Sequence, residues 1–313
     1  MDADETVVAD LVTTACSGDR RAAARLLTLV ERGGEPADAV AEATYPLAAG
    51  AQVVGITGAP GSGKSTLTNG LAASLAGAGR RPAVLAVDPS SPLTGGAILG
   101  DRVRMEAAAT AGAFIRSMAT RGHAGGLALA VPGMIRVLDA CGFDPVLVET
   151  VGVGQVEVDV ASAADTVVVV VTAGWGDAVQ ANKAGLLEIA DLFVVNKADR
   201  PGAHEARRDL DLMLDLSEVT GQATDRPEVI LTTATEGTGI DDLGSAIQAH
   251  HARLVTEGRL IGRRTRRHRA EVRSRLEHLL SEAVEDRIAD LPALPDGVPG
   301  TVARRLAAEL LGE

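Results

Sequence analysis

Eight consecutive residues, Gly58-Ala59-Pro60-Gly61-Ser62-Gly63-Lys64-Ser65, have the types and spacing needed to hold a phosphate. They fit G-x-x-x-x-G-K-[ST], in which glycines let backbone N–H groups curl around an anion. Lys64 would reach the outer phosphates as a point charge, and Ser65 would offer its hydroxyl to Mg²⁺. A β-branched run, Val53 to Thr57, precedes the loop. A helical run opening at Thr66 follows it, and the N-terminus of that helix adds partial positive charge.

A second group, Asn196-Lys197-Ala198-Asp199, follows the apolar run Leu192 to Val195 and has the N-K-x-D arrangement of GTPases. The Asp199 carboxylate can accept from guanine N1–H and the exocyclic amine, a donor pair that adenine lacks. The Lys197 stem can lie along the plane of the base. Thr233-Ala234-Thr235-Glu236-Gly237, after another β run, suits a supporting loop at the edge of the base.

Mg²⁺ takes oxygen ligands, and three acids stand where they can serve it. Glu149 ends the run Val146-Leu147-Val148, and the segment Glu149-Thr150-Val151-Gly152 resembles a D-x-x-G loop with Glu for Asp. Gly152 would donate its N–H to a γ-phosphate. Asp88 ends the run Ala83 to Val87, and Asp101 stands at a helix start in Gly100-Asp101-Arg102.

Fast hydrolysis needs a residue that aims water and a cation that meets transition-state charge. Val153 occupies the place after Gly152 where small regulatory GTPases carry a Gln, and Gln155 comes two residues later. Slow intrinsic turnover is therefore expected, with the missing group supplied by a partner or a moving loop. The segment Thr172 to Lys183 is the candidate switch, in which Asp177, Gln180 and Lys183 would respond to the γ-phosphate or to a partner.

The elements that must position these groups show in the hydrophobic pattern. Nearly continuous apolar runs at 53–57, 83–87, 146–149, 167–171, 192–195 and 229–231, with a further run at 113–118, alternate with helix-length segments. That pattern means an α/β fold, a mostly parallel, doubly wound sheet covered on both faces. Residues 1–48 read as a helical extension, 49–250 as the sheet domain and 251–313 as a helical arm. The arm holds 12 Arg against 10 acids, a balance of +2, whereas the rest of the chain stands at −14. An apolar stripe, Val272, Leu276, Leu279, Leu280 and Val284, runs along the charged helix 263–290.

Composition excludes other classes. The 313 residues carry a net charge of −12 and only 2% aromatics, which argues against a stacking or phosphate-backbone surface for nucleic acid. Two cysteines, Cys16 and Cys141, make neither a disulfide framework nor a four-ligand zinc site. The start, Met1-Asp2-Ala3-Asp4-Glu5, lacks the features of a signal peptide, and no apolar run approaches a membrane span. A cytoplasmic protein with no membrane partner is expected. Of its 30 basic residues only Lys64, Lys183 and Lys197 are lysines, and two of those fall in the motifs above.

Taken together, the chain resembles the methylmalonyl-CoA mutase-associated GTPases of the MeaB/ArgK type. The resemblance rests on Gly55 to Leu67, on Asp88-Pro89-Ser90-Ser91-Pro92 with Thr94-Gly95-Gly96 and Gly100-Asp101-Arg102, on Thr120-Arg121-Gly122-His123, on Glu149 to Gln155, and on Asn196 to Asp199. It implies a P-loop GTPase domain with GTP/GDP and Mg²⁺ as cofactors, an N-terminal helical extension and a C-terminal arm that forms a homodimer. It also implies GTP hydrolysis that gates adenosylcobalamin delivery to an acyl-CoA mutase and protects that enzyme. Lys64 and Ser65 would then bind phosphate and metal, Asp88, Asp101 and Glu149 would lie on the metal side, and Asn196, Lys197 and Asp199 would read guanine. Lys183 matches the lysine of a partner-responsive switch, although Ala178 replaces the usual Glu of that motif. Competing readings are a nickel-insertion GTPase, which would want clustered His or Cys, a transport-linked ATPase or kinase, which Asp199 opposes, and a non-hydrolysing interaction protein.

Overall fold

The computed structural model describes residues 3–88, 105–119, 124–150, 163–174, 187–219, 225–291 and 297–311. Asp101, Gly152 and the segment 175–186 with Lys183 lie outside the described residues, as does the side chain of Asp88.

Three helices come first: α1 (Ala3–Cys16), α2 (Arg20–Arg32) and α3 (Glu35–Thr44). Asp19 caps α2 by accepting from the N–H groups of Arg21 at 2.7 Å and Ala22 at 2.9 Å. Gly33 ends α2 with φ 75°, and Pro36 sits in the first turn of α3, where its missing N–H costs nothing.

Seven strands follow: β1 (Val53–Gly58), β2 (Ala83–Asp88), β3 (Phe114–Ala119), β4 (Val146–Glu149), β5 (Thr166–Val171), β6 (Leu192–Asn196) and β7 (Glu228–Thr232). All pair in parallel, in the order β3-β2-β4-β1-β5-β6-β7. The central strands β1, β4, β5 and β6 are buried at every position, as a sheet covered on both faces requires. The intervening helices are α4 (Lys64–Gly77), α5 (Glu106–Thr110), α6 (Ala124–Ala140), α7 (Ala203–Val219) and α8 (Ile240–Thr256).

Side chains alternate between two cores. Val53, Val146, Val148, Val169 and Phe193 face α1, α2, α3, α6 and α7. Val54, Ile56, Leu147, Val168 and Val194 face α4, α5 and α8. Each fully buried side chain of this size contributes roughly 1.5–3 kcal/mol. The α/β parallel architecture read from the run pattern is the one observed.

The chain groups into two compact units, residues 1–267 and 268–313. Helix α9 (Arg259–Ala289) begins in the first, where three arginines of its opening turns meet the N-terminal edge of the sheet. Asp165 precedes β5 with its side chain 1% exposed. It accepts from Val53 N at 3.1 Å, Arg264 Nη2 at 2.9 Å and Arg267 Nη1 at 3.3 Å. Asp191 precedes β6 and takes Arg263 in a fork, at 2.7 and 2.5 Å, together with Val167 N at 2.9 Å. His250 Nε2 stands 3.4 Å from the same carboxylate, and its Nδ1 lies 2.9 Å from the Thr166 hydroxyl. Burial pushes the Asp191 carboxyl up, but hydrogen bonds from His250 and Arg263 outweigh it and hold the group at about 2.

The second unit comprises the remainder of α9 and α10 (Pro299–Leu311), joined by an ion pair between Arg287 and Glu309. Val272, Leu276, Leu279, Leu280, Val284 and Ile288 are exposed along α9. No helix among the described residues is long and apolar enough to cross a membrane.

Candidate functional site

The parallel order brings the C-terminal ends of β1, β4 and β6 to one edge of the sheet, and the candidate groups gather there. The loop after β1 turns sharply at Gly58, whose φ is 139°, and a Cβ there would stand 2.1 Å from the Val170 carbonyl oxygen of β5. Gly63 (φ 91°) leads directly into α4, and a Cβ there would lie 2.4 Å from Asn196 Nδ2. Neither place admits a side chain. Between them Ser62 N donates to Ala59 O at 3.2 Å, closing the loop into a tight arch. Pro60 and Thr66 are exposed on its rim.

Lys64 is 6% exposed and donates from Nζ to Gly58 O at 2.7 Å and Ala59 O at 3.0 Å. The ammonium therefore lies over the arch, against the carbonyls of Gly58 and Ala59. Ser65 Oγ donates to Glu149 Oε1 at 2.6 Å, a short, charge-assisted bond. Glu149 is the last residue of β4, is 6% exposed and pairs with Ile56 across the ladder. The hydroxyl and carboxylate are hard oxygen donors, the chemistry that suits Mg²⁺.

The loop after β6 is built onto the same arch. Asn196, 2% exposed, donates from Nδ2 to Ser62 O at 2.8 Å. Its Oδ1 accepts from Thr232 Oγ1 at 3.0 Å and Ala234 N at 3.2 Å. Lys197 donates from Nζ to Gly61 O at 2.7 Å and holds φ 60°, the one left-handed non-glycine residue among those described. A left-handed lysine costs about 1–2 kcal/mol, a strain that persists because the side chain is tied down at its far end. Asp199, further along the turn, is exposed. Thr233 is buried and bridges Thr238, so the loop carrying Ala234 folds back beside Asn196.

Of the residues singled out from sequence, Gly58 to Thr66, Glu149, Asn196, Lys197, Asp199, Thr233 and Ala234 come to one edge, and Asp88 ends β2 at that edge as well. Sequence reasoning missed Thr232, which steadies Asn196, and Thr57 and Thr150, whose hydroxyls bond at 3.0 Å. A hydroxyl at the end of an apolar strand is the available signal, but its partner depends on strand order.

A parallel sheet with a phosphate-loop arch at the end of its first strand, followed by a helix opening on Lys64 and Ser65, defines an α/β fold of the P-loop NTPase type. Comparison with known proteins narrows the class. Residues 23–290 match the family model described as "Methylmalonyl Co-A mutase-associated GTPase MeaB". A putative GTPase of Pyrococcus abyssi is 49% identical over 281 residues, covering 89% of this chain and 87% of the relative. GTPase ArgK of Escherichia coli is 37% identical over 264 residues, covering 82% and 80%. The crystal structure of an LAO/AO transport system kinase superposes with a TM-score of 0.71 at 26% identity, covering 100% of this chain and 99% of that one. The chain belongs to the MeaB family and is a GTPase. The resemblance drawn from its motifs is borne out.

Proposed function

We propose that this GTPase is a chaperone for an adenosylcobalamin-dependent acyl-CoA mutase of the methylmalonyl-CoA mutase type, using GTP and Mg²⁺ to gate cofactor delivery and protect the mutase. The observation that carries the reading is the match of residues 23–290 to a family named for its association with that mutase.

The geometry supports the nucleotide half. In this reading the N–H groups of the arch from Gly61 to Ser65 would surround the β- and γ-phosphates, and Lys64 would turn its ammonium from the Gly58 and Ala59 carbonyls toward phosphate oxygens. A phosphate oxygen is a stronger acceptor for an ammonium than a main-chain carbonyl. Ser65 and Glu149, 2.6 Å apart, would hold Mg²⁺, with Asp88 and Asp101 as further acids of the metal side. When bound, the ion neutralises charge that develops on the phosphate oxygens. Asp199 selects guanine, Lys197 lies beside the base, and Asn196, Thr233 and Ala234 join the base loop to the phosphate arch. Gly152 donates to the γ-phosphate. Val153, rather than a glutamine, follows Gly152 in the chain. Intrinsic turnover is therefore slow, and a partner acting through the segment of Asp177, Gln180 and Lys183 speeds it.

In the same reading residues 1–48 are an extension, 49–250 the nucleotide domain and 251–313 an arm through which two copies pair. Val272, Leu276 and Leu279 are more than half exposed and would be covered in that homodimer. Sedimentation as a monomer at micromolar concentration would refute the pairing.

Two measurements test the function. Titration with GTP and ATP should favour GTP strongly, and equal affinities would remove the guanine assignment. The purified protein should be captured by a methylmalonyl-CoA mutase in a nucleotide-dependent way, and its hydrolysis should rise on addition of that mutase. Lys183→Ala should bind GTP normally yet lose that stimulation.

A further inference from the structure

We propose that Thr57 and Thr150 are positioning residues for the metal-side carboxylate, fixing the base of the Glu149 side chain from the opposite face of the sheet. The inference rests on the reading of Glu149 as a metal-side acid and adds to it the device that aims this acid.

Glu149 and Ile56 are partners in the β1–β4 ladder, and both point to the face on which α4 packs, where Ser65 waits. One residue further, Thr150 N donates to Ile56 O at 3.0 Å, which carries the ladder past the end of β4. Successive side chains in a strand alternate between faces. Thr57 and Thr150 therefore stand behind Glu149, and the Thr150 hydroxyl donates to the Thr57 hydroxyl at 3.0 Å. Thr57 is 1% exposed and Thr150 is fully buried, so water does not compete for this bond.

The need for such a lock follows from the residue type. A glutamate has one more rotatable bond than the aspartate of a D-x-x-G loop, so its carboxylate sweeps a larger volume from the same Cα. Fixing the backbone on both sides of that Cα sets the origin and direction of the sweep, so that the Ser65 hydroxyl meets the carboxylate at one place within it. On the N-terminal side Glu149 is held by the ladder. On the C-terminal side it is held by the Thr150 N–H and hydroxyl together. Groups that hydrogen-bond a metal ligand directly change metal affinity by about 10–100-fold when removed, and a hydroxyl pair acting through the neighbouring backbone belongs at the low end of that range.

The test measures Mn²⁺ affinity of the full-length protein saturated with GDP, from the electron paramagnetic resonance signal of free Mn²⁺. Thermal unfolding and the Mg²⁺ concentration needed for half-maximal GTP hydrolysis are recorded alongside. Glu149→Gln addresses the underlying reading: it should weaken Mn²⁺ binding, and unchanged binding would remove the metal-side assignment together with the present inference. Given that weakening, Thr57→Val should lower Mn²⁺ affinity by about tenfold and raise the Mg²⁺ requirement, while Thr57→Ser restores both. The double variant Thr57→Val/Thr150→Val leaves no buried hydroxyl unpaired, so its unfolding temperature should return toward that of the parent. Its Mn²⁺ affinity should stay low. A double variant that regains parental Mn²⁺ affinity along with its stability, or a Thr57→Val protein that binds Mn²⁺ as the parent does, would overturn the assignment.

Discussion

At the N-terminal edge of the sheet, Asp165 and Asp191 meet Arg263, Arg264, Arg267 and His250. At the C-terminal edge, Glu149 takes the hydroxyl of Ser65, and Lys64 donates to two main-chain carbonyls. Both edges bury charge, and the contacts seen at each differ in kind. At the first, opposite charges are matched inside the chain, and the strand ends are capped by the same carboxylates. At the second, the contacts described are to neutral groups, which a phosphate oxygen or a metal ion can displace. Charges matched at the starts of the strands hold the scaffold together, and charges gathered at the ends of the strands stand where the candidate site is.

Asp165→Ala should do the greatest damage, because it leaves two arginines without their buried partner and β1 without its cap. A loss of about 3–5 kcal/mol is expected in urea unfolding. Lys64→Ala is the counterpart at the other edge. It should lower GTP affinity by roughly a hundredfold, about the strength of a charge-assisted contact, with a much smaller effect on unfolding. If instead Lys64→Ala unfolds the protein and Asp165→Ala is harmless, the two edges have been assigned the wrong way round.

A third effect is pH-dependent. The Asp191 carboxyl sits at about 2, below its ordinary value of 3.8, so the folded chain takes up this proton less readily than the unfolded one. Its stabilisation is complete above the ordinary carboxylate range and is lost as pH falls through about 2. The contribution is on the order of 2 kcal/mol. Urea midpoints measured down this range should fall more steeply for the parent than for Asp191→Asn. The smallest effect belongs to the second unit. Arg273 and Glu277 pair at 2.9 Å on the open surface of α9, and Arg273→Ala should leave the unfolding midpoint where it was.

The fold was legible because a buried parallel strand leaves a continuous apolar run, and each of the seven runs became a strand. The phosphate loop was legible for the same reason, since its function lies in eight adjacent residues. What distant residues build together was not. Asn196 stands out in its motif as a base reader, yet its side chain is spent on Ser62, Thr232 and Ala234, contacts that exist only because β7 lies beside β6. Arg263, Arg264 and Arg267 read as part of a charged amphipathic helix. Their carboxylate partners lie 72 to 102 residues earlier in the chain, and no periodicity announces them.

The strand order also constrains how the molecule can be made. β1 ends at Gly58, but its two neighbours are β4 and β5, which begin at Val146 and Thr166. The central position in the sheet is thus synthesised early and completed late. At a ribosomal pace of about 5–20 residues per second, β1 waits on the order of ten seconds with both edges unpaired. Chains that terminate before Val146 should therefore associate through that strand rather than accumulate as folded fragments.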